Sequence, residues 1–256
     1  MVISISSTGH ATQHHPTTAK NKIRRLDDLE SWLINQLPEV VEDLNPGATQ
    51  NELDAFLQHI GVAVPDDFLA LYRWHNGQRM EQNTGLWYGM SFLPLARVMQ
   101  EVDGWREIVN TSSDDDLTSL NYGMSSTPPH YVKPVYANPL WIPFAYDWGG
   151  NYLAVDLDPD VQGTRGQVIN CGRDEERKIA IAPSLNAFLQ WMMGELNAGN
   201  VNIRLEDDGG RSFNTLRPEK YHFLDALAAI FDDAPSPASP PATSGKSIWS
   251  WFKKRK

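Results

Sequence analysis

Apolar residues recur at helical spacing in three stretches of the first third of the chain. The first runs from Leu26 to Leu37. The second opens with TQNE (49–52), a capping box in which Thr and Glu side chains satisfy free backbone N–H groups, and Gly61 can end it. The third is VPDDFLALYRWHNG (64–77), with a proline in the first turn and Asn-Gly as a stop. These patterns predict three N-terminal helices.

The middle of the chain changes to short strand patterns separated by Gly, Pro and Asp, at 86–95, 140–146, 151–158, 166–170 and 177–182. A short helix is predicted near Val98–Trp105, and residues 111–131 have no period and are interpreted as a long loop. A Ser184-capped helix, a hairpin over 203–216 and a helix over 218–231 follow. The order predicts an α+β fold: an antiparallel or mixed sheet of about six short strands with helices packed on it, flanked by N-terminal and C-terminal helices.

Composition divides the chain into four parts. Residues 1–20 are polar and rich in Ser, Thr and His, which is typical of a disordered leader. Residues 21–231 are expected to form one folded domain. Residues 232–245 form a Pro/Ser/Ala-rich linker, and residues 246–256, KSIWSWFKKRK, an aromatic and basic tail.

The net charge is −10, but the tail alone holds five basic residues and no acidic one. The rest of the chain therefore has 17 basic residues against 32 acidic ones. Nucleic acid is not expected as a partner, because phosphates need Lys and Arg. An acidic body suits a basic protein partner, although negative charge can also serve solubility alone.

The single cysteine, Cys171, excludes an intrachain disulfide framework and a Cys-based zinc site. No apolar stretch approaches the length of a membrane span, and no N-terminal signal pattern is visible. Together these features predict a cytoplasmic protein.

Three aspartates at alternate positions, Asp156, Asp158 and Asp160, raise the question of metal or acid–base chemistry. A calcium loop starting at Asp156 would need Gly at its sixth position and Glu at its twelfth, but Val161 and Gln167 stand there. We therefore predict no metal and no cofactor.

A carboxylate pair, Asp156 with Asp158, could still serve as acid and base. The simpler interpretation is a half-buried strand that points these residues away from the core and ends in a turn. Cys171 with His75 is a possible nucleophile and base, but no complete catalytic set is visible. A hydrolase using Asp156, Asp158 or His75 remains the least favoured hypothesis, and we predict a non-enzyme.

Four segments, in order, carry a resemblance to a known family. They are VPDDFLALYRWHNG, SFLPL, WIPFAYDWGGNYLAVDLDP with GQVIN, and APSLNAFLQWMM. Over about residues 49–196 the chain resembles the SUKH superfamily, in its cell-wall-assembly-regulator (Smi/Knr-like) branch. Asn151 stands where that family usually has Asp after the glycines.

The resemblance implies a protein-binding module. The first hypothesis is a bacterial immunity protein that neutralises a polymorphic, for example nuclease, toxin, with a basic toxin domain as partner. The alternative is a regulator or scaffold in cell-wall or envelope assembly. Within the family-like segments we predict an acidic binding face with aromatic anchors, formed by Trp74, Asn76, Trp87, Tyr88, Trp148, Gly149, Gly150, Asn151, Asp156 and Asp158.

The tail offers a second candidate contact through Trp249, Trp251, Phe252, Lys253 and Lys254. Large apolar residues beside cations could rest weakly on an anionic membrane surface. They could equally dock on a partner protein or on the acidic body itself. A merely solubilising basic terminus would not need the aromatic residues.

Overall fold

The computed structural model describes residues 16–79, 84–205 and 210–232. The helices are α1 (Pro16–Gln36), α2 (Pro38–Glu42), α3 (Gln50–Ile60), α4 (Asp66–Trp74), α5 (Leu95–Thr111), α6 (Asp114–Leu120), α7 (Leu185–Asn197) and α8 (Phe223–Asp232). The strands are β1 (Ser91–Phe92), β2 (Ser125–Thr127), β3 (Trp141–Tyr146), β4 (Asn151–Asp156), β5 (Gln167–Gly172), β6 (Arg177–Ala182), β7 (Asn202–Leu205) and β8 (Arg211–Asn214).

The predicted N-terminal helices are confirmed. Helix α1 starts at Pro16, inside the segment expected to be a leader, and residues 1–15 lie outside the described residues. Helix α3 carries the predicted capping box, in which the Thr49 backbone N–H donates to Glu52 at 2.8 Å and the Glu52 N–H donates to Thr49 Oγ1 at 3.3 Å. Gly61 ends this helix with φ 76°, a left-handed conformation that glycine adopts without steric cost.

Six strands form one mixed sheet in the order β1-β3-β4-β5-β6-β2. All neighbours are antiparallel except β2 and β6, which run parallel. The predicted hairpin is a separate two-stranded sheet of β7 and β8. The predicted α+β class is therefore confirmed.

Both faces of the central sheet are covered, contrary to the half-buried strand expected at β4. Every residue of β4 and β5 is buried, although successive side chains point to opposite faces. The Tyr152 ring packs on Trp105 of α5, and the Phe144 ring packs on Phe188 of α7. Helix α5 supplies cover from a distant part of the sequence, which the local alternation could not reveal.

Two further local predictions are wrong. The expected loop over 111–131 contains α6, which starts because Ser113 and Asp116 form a second capping box, and also contains β2. Of the strand expected over 86–95, only β1 forms, because Trp87 and Met90 bond to each other's backbone across a tight turn. Among the described helices, none is long and apolar enough to cross a membrane.

Candidate functional site

Two turns meet at one end of the central sheet. The β3–β4 turn spans residues 147–150, and the β5–β6 turn spans residues 173–176. They are adjacent because β4 and β5 pair antiparallel with Asn151 opposite Gly172. We call the surface formed by these two turns the turn face.

Hydrogen bonds of the Asp147 and Asn151 side chains hold the turn face together. One Asp147 carboxylate oxygen accepts the backbone N–H groups of Gly149 at 2.7 Å and Asn151 at 2.9 Å. The other accepts the Asn151 side-chain amide at 2.8 Å. That amide also donates to Asp174 at 3.3 Å, while Asn151 Oδ1 accepts the Asp174 backbone N–H at 2.8 Å. Asn151 thus links one turn to the other through both ends of its amide.

Backbone contact between the turns is unusually close at Gly172. A Cβ at this position would lie 2.4 Å from Asn151 Cα, and the Gly172 φ is 141°. The backbone N–H of Arg173 then donates to the Gly150 carbonyl at 3.0 Å. Only glycine fits at this position, so the two turns are fixed as one surface.

Trp148 is the exposed aromatic residue of the turn face. Its side chain is 53% exposed, and its φ of 64° is uncommon for a residue with a side chain. The indole N–H donates to Ser91 Oγ at 2.9 Å. The ring also lies 5.6 Å from Tyr146, which stacks on Tyr152 at 5.2 Å. Trp148 is therefore exposed yet held in one orientation, as a binding anchor needs to be.

Negative charge is concentrated on the β5–β6 turn, the other half of the turn face. Asp174 and Glu176 are exposed, and a hydrogen bond from Arg173 lowers the pKa of Asp174. Glu175 is half-buried, and burial raises its pKa to about 7, with the charges of Asp147 and Asp225 acting in the same direction. Arg173 is the cation within the turns, and it is already paired with Asp174.

The structure brings only part of the predicted site together. Trp148, Gly149, Gly150 and Asn151 all lie in or beside the turn face, with Trp148 and Gly149 exposed. Asn151 is itself buried, so it supports the surface rather than forming it.

Trp87 and Tyr88, predicted as contacts, are corrected to core residues. Trp87 packs edge-on against Phe144, and Tyr88 stacks on Phe223 at 4.4 Å. Each is at most 2% exposed, because the tight turn at 87–90 directs both rings inward.

Trp74 and Asn76 are half-buried and make structural contacts. The Trp74 indole N–H donates to Glu30 of α1 at 2.9 Å. Asn76 Oδ1 accepts the first N–H of α5, from Leu95, at 2.9 Å, and its amide donates to Glu52 at 3.1 Å. Their side chains join helices, which sequence spacing alone could not distinguish from partner contacts.

Asp156 and Asp158 do not form an outward pair. Asp156 is fully buried and accepts hydrogen bonds from Gln167 and from the Asp158 backbone, at 2.9 Å each. Burial raises the pKa of Asp156 to about 6. Burial also acts to raise the pKa of Asp158, but hydrogen bonds from Lys133 and Asn138 outweigh it and lower that pKa. The two carboxyls titrate apart, as in an acid–base pair, but Asp156 has no access to solvent or substrate.

The other catalytic hypothesis also finds no support in the geometry. Cys171 is fully buried in β5, and burial raises the pKa of its thiol to about 12, so it is not a thiolate at neutral pH. His75 lies elsewhere, with Nδ1 2.6 Å from the Asn45 carbonyl. Among the described residues, no group of three His, Cys, Asp or Glu side chains could hold a metal ion.

The sequence pattern predicts the two strands that flank the β5–β6 turn but does not assign this turn to the site. Asp174, Glu175 and Glu176 were not singled out, and neither was Ser91. The acidic run DEE between two predicted strands was a usable signal for the β5–β6 turn. Ser91 had no such signal, since its role depends on a partner 57 positions away.

Residues 47–191 match the SMI1 / KNR4 family (SUKH-1). The chain belongs to this family. The match includes β1, α5 and both turns of the turn face, so the candidate site lies within the family domain.

Of three fungal relatives, two are named as regulators. The cell wall assembly regulator SMI1 of Saccharomyces cerevisiae is 30% identical over 208 residues, covering 70% of this chain and 41% of that protein. The cell wall biosynthesis/cell cycle regulator smi1 of Schizosaccharomyces pombe is 30% identical over 229 residues, covering 87% of this chain and 44% of that protein. KNR4/SMI1 homolog 2 of Debaryomyces hansenii is 32% identical over 218 residues, covering 72% and 37%.

The aligned part spans about two fifths of the length of these curated relatives. The resemblance to a SUKH-type cell-wall-assembly regulator is confirmed at the level of the family. The bacterial immunity-protein type is not what these fungal relatives indicate.

Proposed function

We propose that this protein is a non-enzymatic regulator of cell-wall assembly that acts by binding another protein through the turn face. Family membership and the relatives' names support the regulatory role. This was the second of the two hypotheses drawn from the sequence, and it now takes precedence over the first.

The assignment of the binding surface rests on Trp148. A half-exposed indole that is anchored by Ser91 and braced by Tyr146 contributes contact area without a large ordering cost. Such an arrangement is typical of an interface anchor and contributes little to a core.

The carboxylates of the β5–β6 turn define the partner's chemistry. Asp174 and Glu176 are exposed on the turn next to the one that carries Trp148, and they favour a basic segment whose Lys or Arg side chains pair with the acids while an apolar side chain packs on the indole ring. A basic toxin domain would meet the same requirement, but the regulatory names of the relatives favour a partner in wall assembly.

The non-enzymatic part of the proposal rests on burial. Of the four residues considered for catalysis, Asp156 and Cys171 are enclosed in the sheet, whereas Asp158 is bonded to Lys133 and Asn138 and His75 lies against the Asn45 carbonyl. The exposed residues of the turn face are one tryptophan, one glycine, one arginine and two acids, and none of them is Ser, Thr, Cys or His.

The proposal is tested in the native cell by replacing the gene with variants. We expect loss of the protein to increase sensitivity to wall-digesting enzymes, and we expect wild type but not Trp148→Ala to restore resistance. The matched control is Tyr122→Ala, which removes an aromatic ring that is 89% exposed outside the turn face. Circular dichroism of purified Trp148→Ala must match wild type. Full rescue by a folded Trp148→Ala would overturn the role of the turn face.

A further inference from the structure

Helix α8 begins beside the turn face. His222, the residue before its first, places Nε2 3.6 Å from the Asp147 carboxylate. The charge of Asp225, in the first turn of α8, reaches Glu175 of the β5–β6 turn. The Phe223 ring stacks on Tyr88 at 4.4 Å, which fixes this end of the helix to the core.

The chain beyond α8 is long enough to return to that surface. Helix α8 has 10 residues and is therefore about 15 Å long. Since the helix begins beside the turn face, its C-terminal end lies about 15 Å from that start. Residues 233–245 separate α8 from the tail KSIWSWFKKRK. Thirteen residues can span at most about 45 Å, three times the required distance.

The chemistry of residues 246–256 complements that of the turn face. The segment contains Ile248, Trp249, Trp251 and Phe252 together with five cations and no acid. The turn face presents the exposed Trp148 ring, which is tied to β1 at one side of the sheet end, and the exposed carboxylates of Asp174 and Glu176 on the β5–β6 turn, which an extended segment can reach in the same pass. An aromatic side chain can pack on Trp148 while Lys253 and Lys254 pair with the carboxylates.

We propose that residues 246–256 dock on the turn face of their own chain. This inference rests on the proposed function, because the docked tail would cover the surface that receives the partner. The linker makes the contact intramolecular and raises the effective concentration of the tail to the millimolar range, so weak contacts suffice. A partner segment would then have to displace the tail from the turn face. Such a segment would carry basic and aromatic residues, as the tail does.

The test places a spin label on the tail of the full chain and measures broadening of turn-face amide signals by NMR. Ser247→Cys supplies the labelling site, because the only native cysteine, Cys171, is fully buried. We expect selective broadening of the amides of Gly149, Gly150 and Asp174, and we expect 0.5 M salt to reduce it, since surface charge pairs are screened.

A pair of charge variants controls for non-specific attraction. Asp174→Lys with Glu176→Lys should abolish the broadening, whereas Asp114→Lys with Asp115→Lys, the same charge change on exposed residues of α6, should leave it intact. Equal broadening in both variants, or none in wild type, overturns the proposal.

Two further outcomes point to other occupants. Broadening that persists when labelled unenriched protein is mixed with unlabelled isotope-enriched protein would make the contact intermolecular and overturn the proposal. The absence of broadening together with tail-dependent pelleting on phosphatidylserine vesicles would assign the tail to a membrane surface. No partner is used in these measurements, so their failure leaves the proposed function standing.

Discussion

The indole N–H of Trp148 donates a hydrogen bond to Oγ of Ser91, 2.9 Å away, and so ties an exposed ring to a residue that is 1% exposed. Ser91 belongs to β1, the edge strand that pairs with β3 just before the β3–β4 turn. The orientation of the exposed anchor is therefore set by the buried sheet edge.

Ser91→Ala should release the Trp148 ring without unfolding the protein. The variant loses the bond to the indole and a 3.3 Å bond to the Thr84 carbonyl, which still accepts from Gln78. We expect the free energy of unfolding to fall by about 1 kcal/mol. The indole N–H of Trp148 should exchange with solvent at least several-fold faster, as measured by NMR, and unchanged exchange would show that Ser91 does not hold the ring.

Asn151→Asp should destabilise the protein, although the resemblance noted in the sequence implies Asp at this position. Asn151 donates to Asp147 and Asp174, so a carboxylate here loses both bonds and faces two like charges. We expect a loss of about 2 kcal/mol at pH 7, measured by urea unfolding. The loss should shrink near pH 4, where the introduced carboxyl is protonated. A loss that does not change with pH would indicate that shape, not charge, selects Asn.

Because Asp156 is buried, we expect its ionisation to destabilise the folded state as the pH rises. Its folded pKa of about 6 exceeds the ordinary 3.8, so the folded state holds a proton that the unfolded chain has released between these values. Below about pH 4, Asp156 therefore contributes about 3 kcal/mol to the free energy of unfolding. This contribution is lost as the pH rises through 6. Asp156→Asn should remove this slope.

The Asp156 prediction is checked by urea unfolding at pH 4, 5, 6 and 7. Only the pH dependence is diagnostic, since altered hydrogen bonding to Gln167 contributes equally at every pH. The stability of Asp156→Asn relative to wild type should rise across the series. A constant difference would place the titration elsewhere, with Glu175, whose pKa is also raised, as the next candidate.

Asn76→Ala separates a structural role from a binding role. Asn76 accepts the Leu95 N–H at the start of α5 and donates to Glu52 of the α3 capping box. We expect a loss of about 1–2 kcal/mol in the free energy of unfolding. The tail-dependent NMR broadening at the turn face should remain as in wild type. Loss of that broadening with normal stability would return Asn76 to the binding surface.

Local patterns were enough to predict the secondary structure that forms from neighbouring residues. The Thr49–Glu52 capping box, the Gly61 stop and the strand at 177–182 were all predicted within one or two residues. Helix α6 was missed because an acidic, polar helix has no apolar stripe, and its only sign was the Ser113–Asp116 box.

The candidate site was predicted only where it lies on one turn. Trp148 and the two glycines after it could be singled out because a Gly-Gly turn exposes its neighbour. Burial of Trp87 depends on Phe188 of α7, about 100 positions away, and Asp156 is enclosed next to Gln167, which also donates to the Tyr131 carbonyl. The sequence pattern holds no information on which side of a strand such helices will cover.

The close approach of Gly172 to Asn151 has a consequence for how a ligand is received. Since the two turns cannot move apart without breaking the sheet end, the surface exists in its final shape before any ligand arrives. Binding of a ligand should therefore show no slow phase from rearrangement of the two turns themselves, and any slow phase would report displacement of the tail. Ligand affinity would then vary mainly through the dissociation rate.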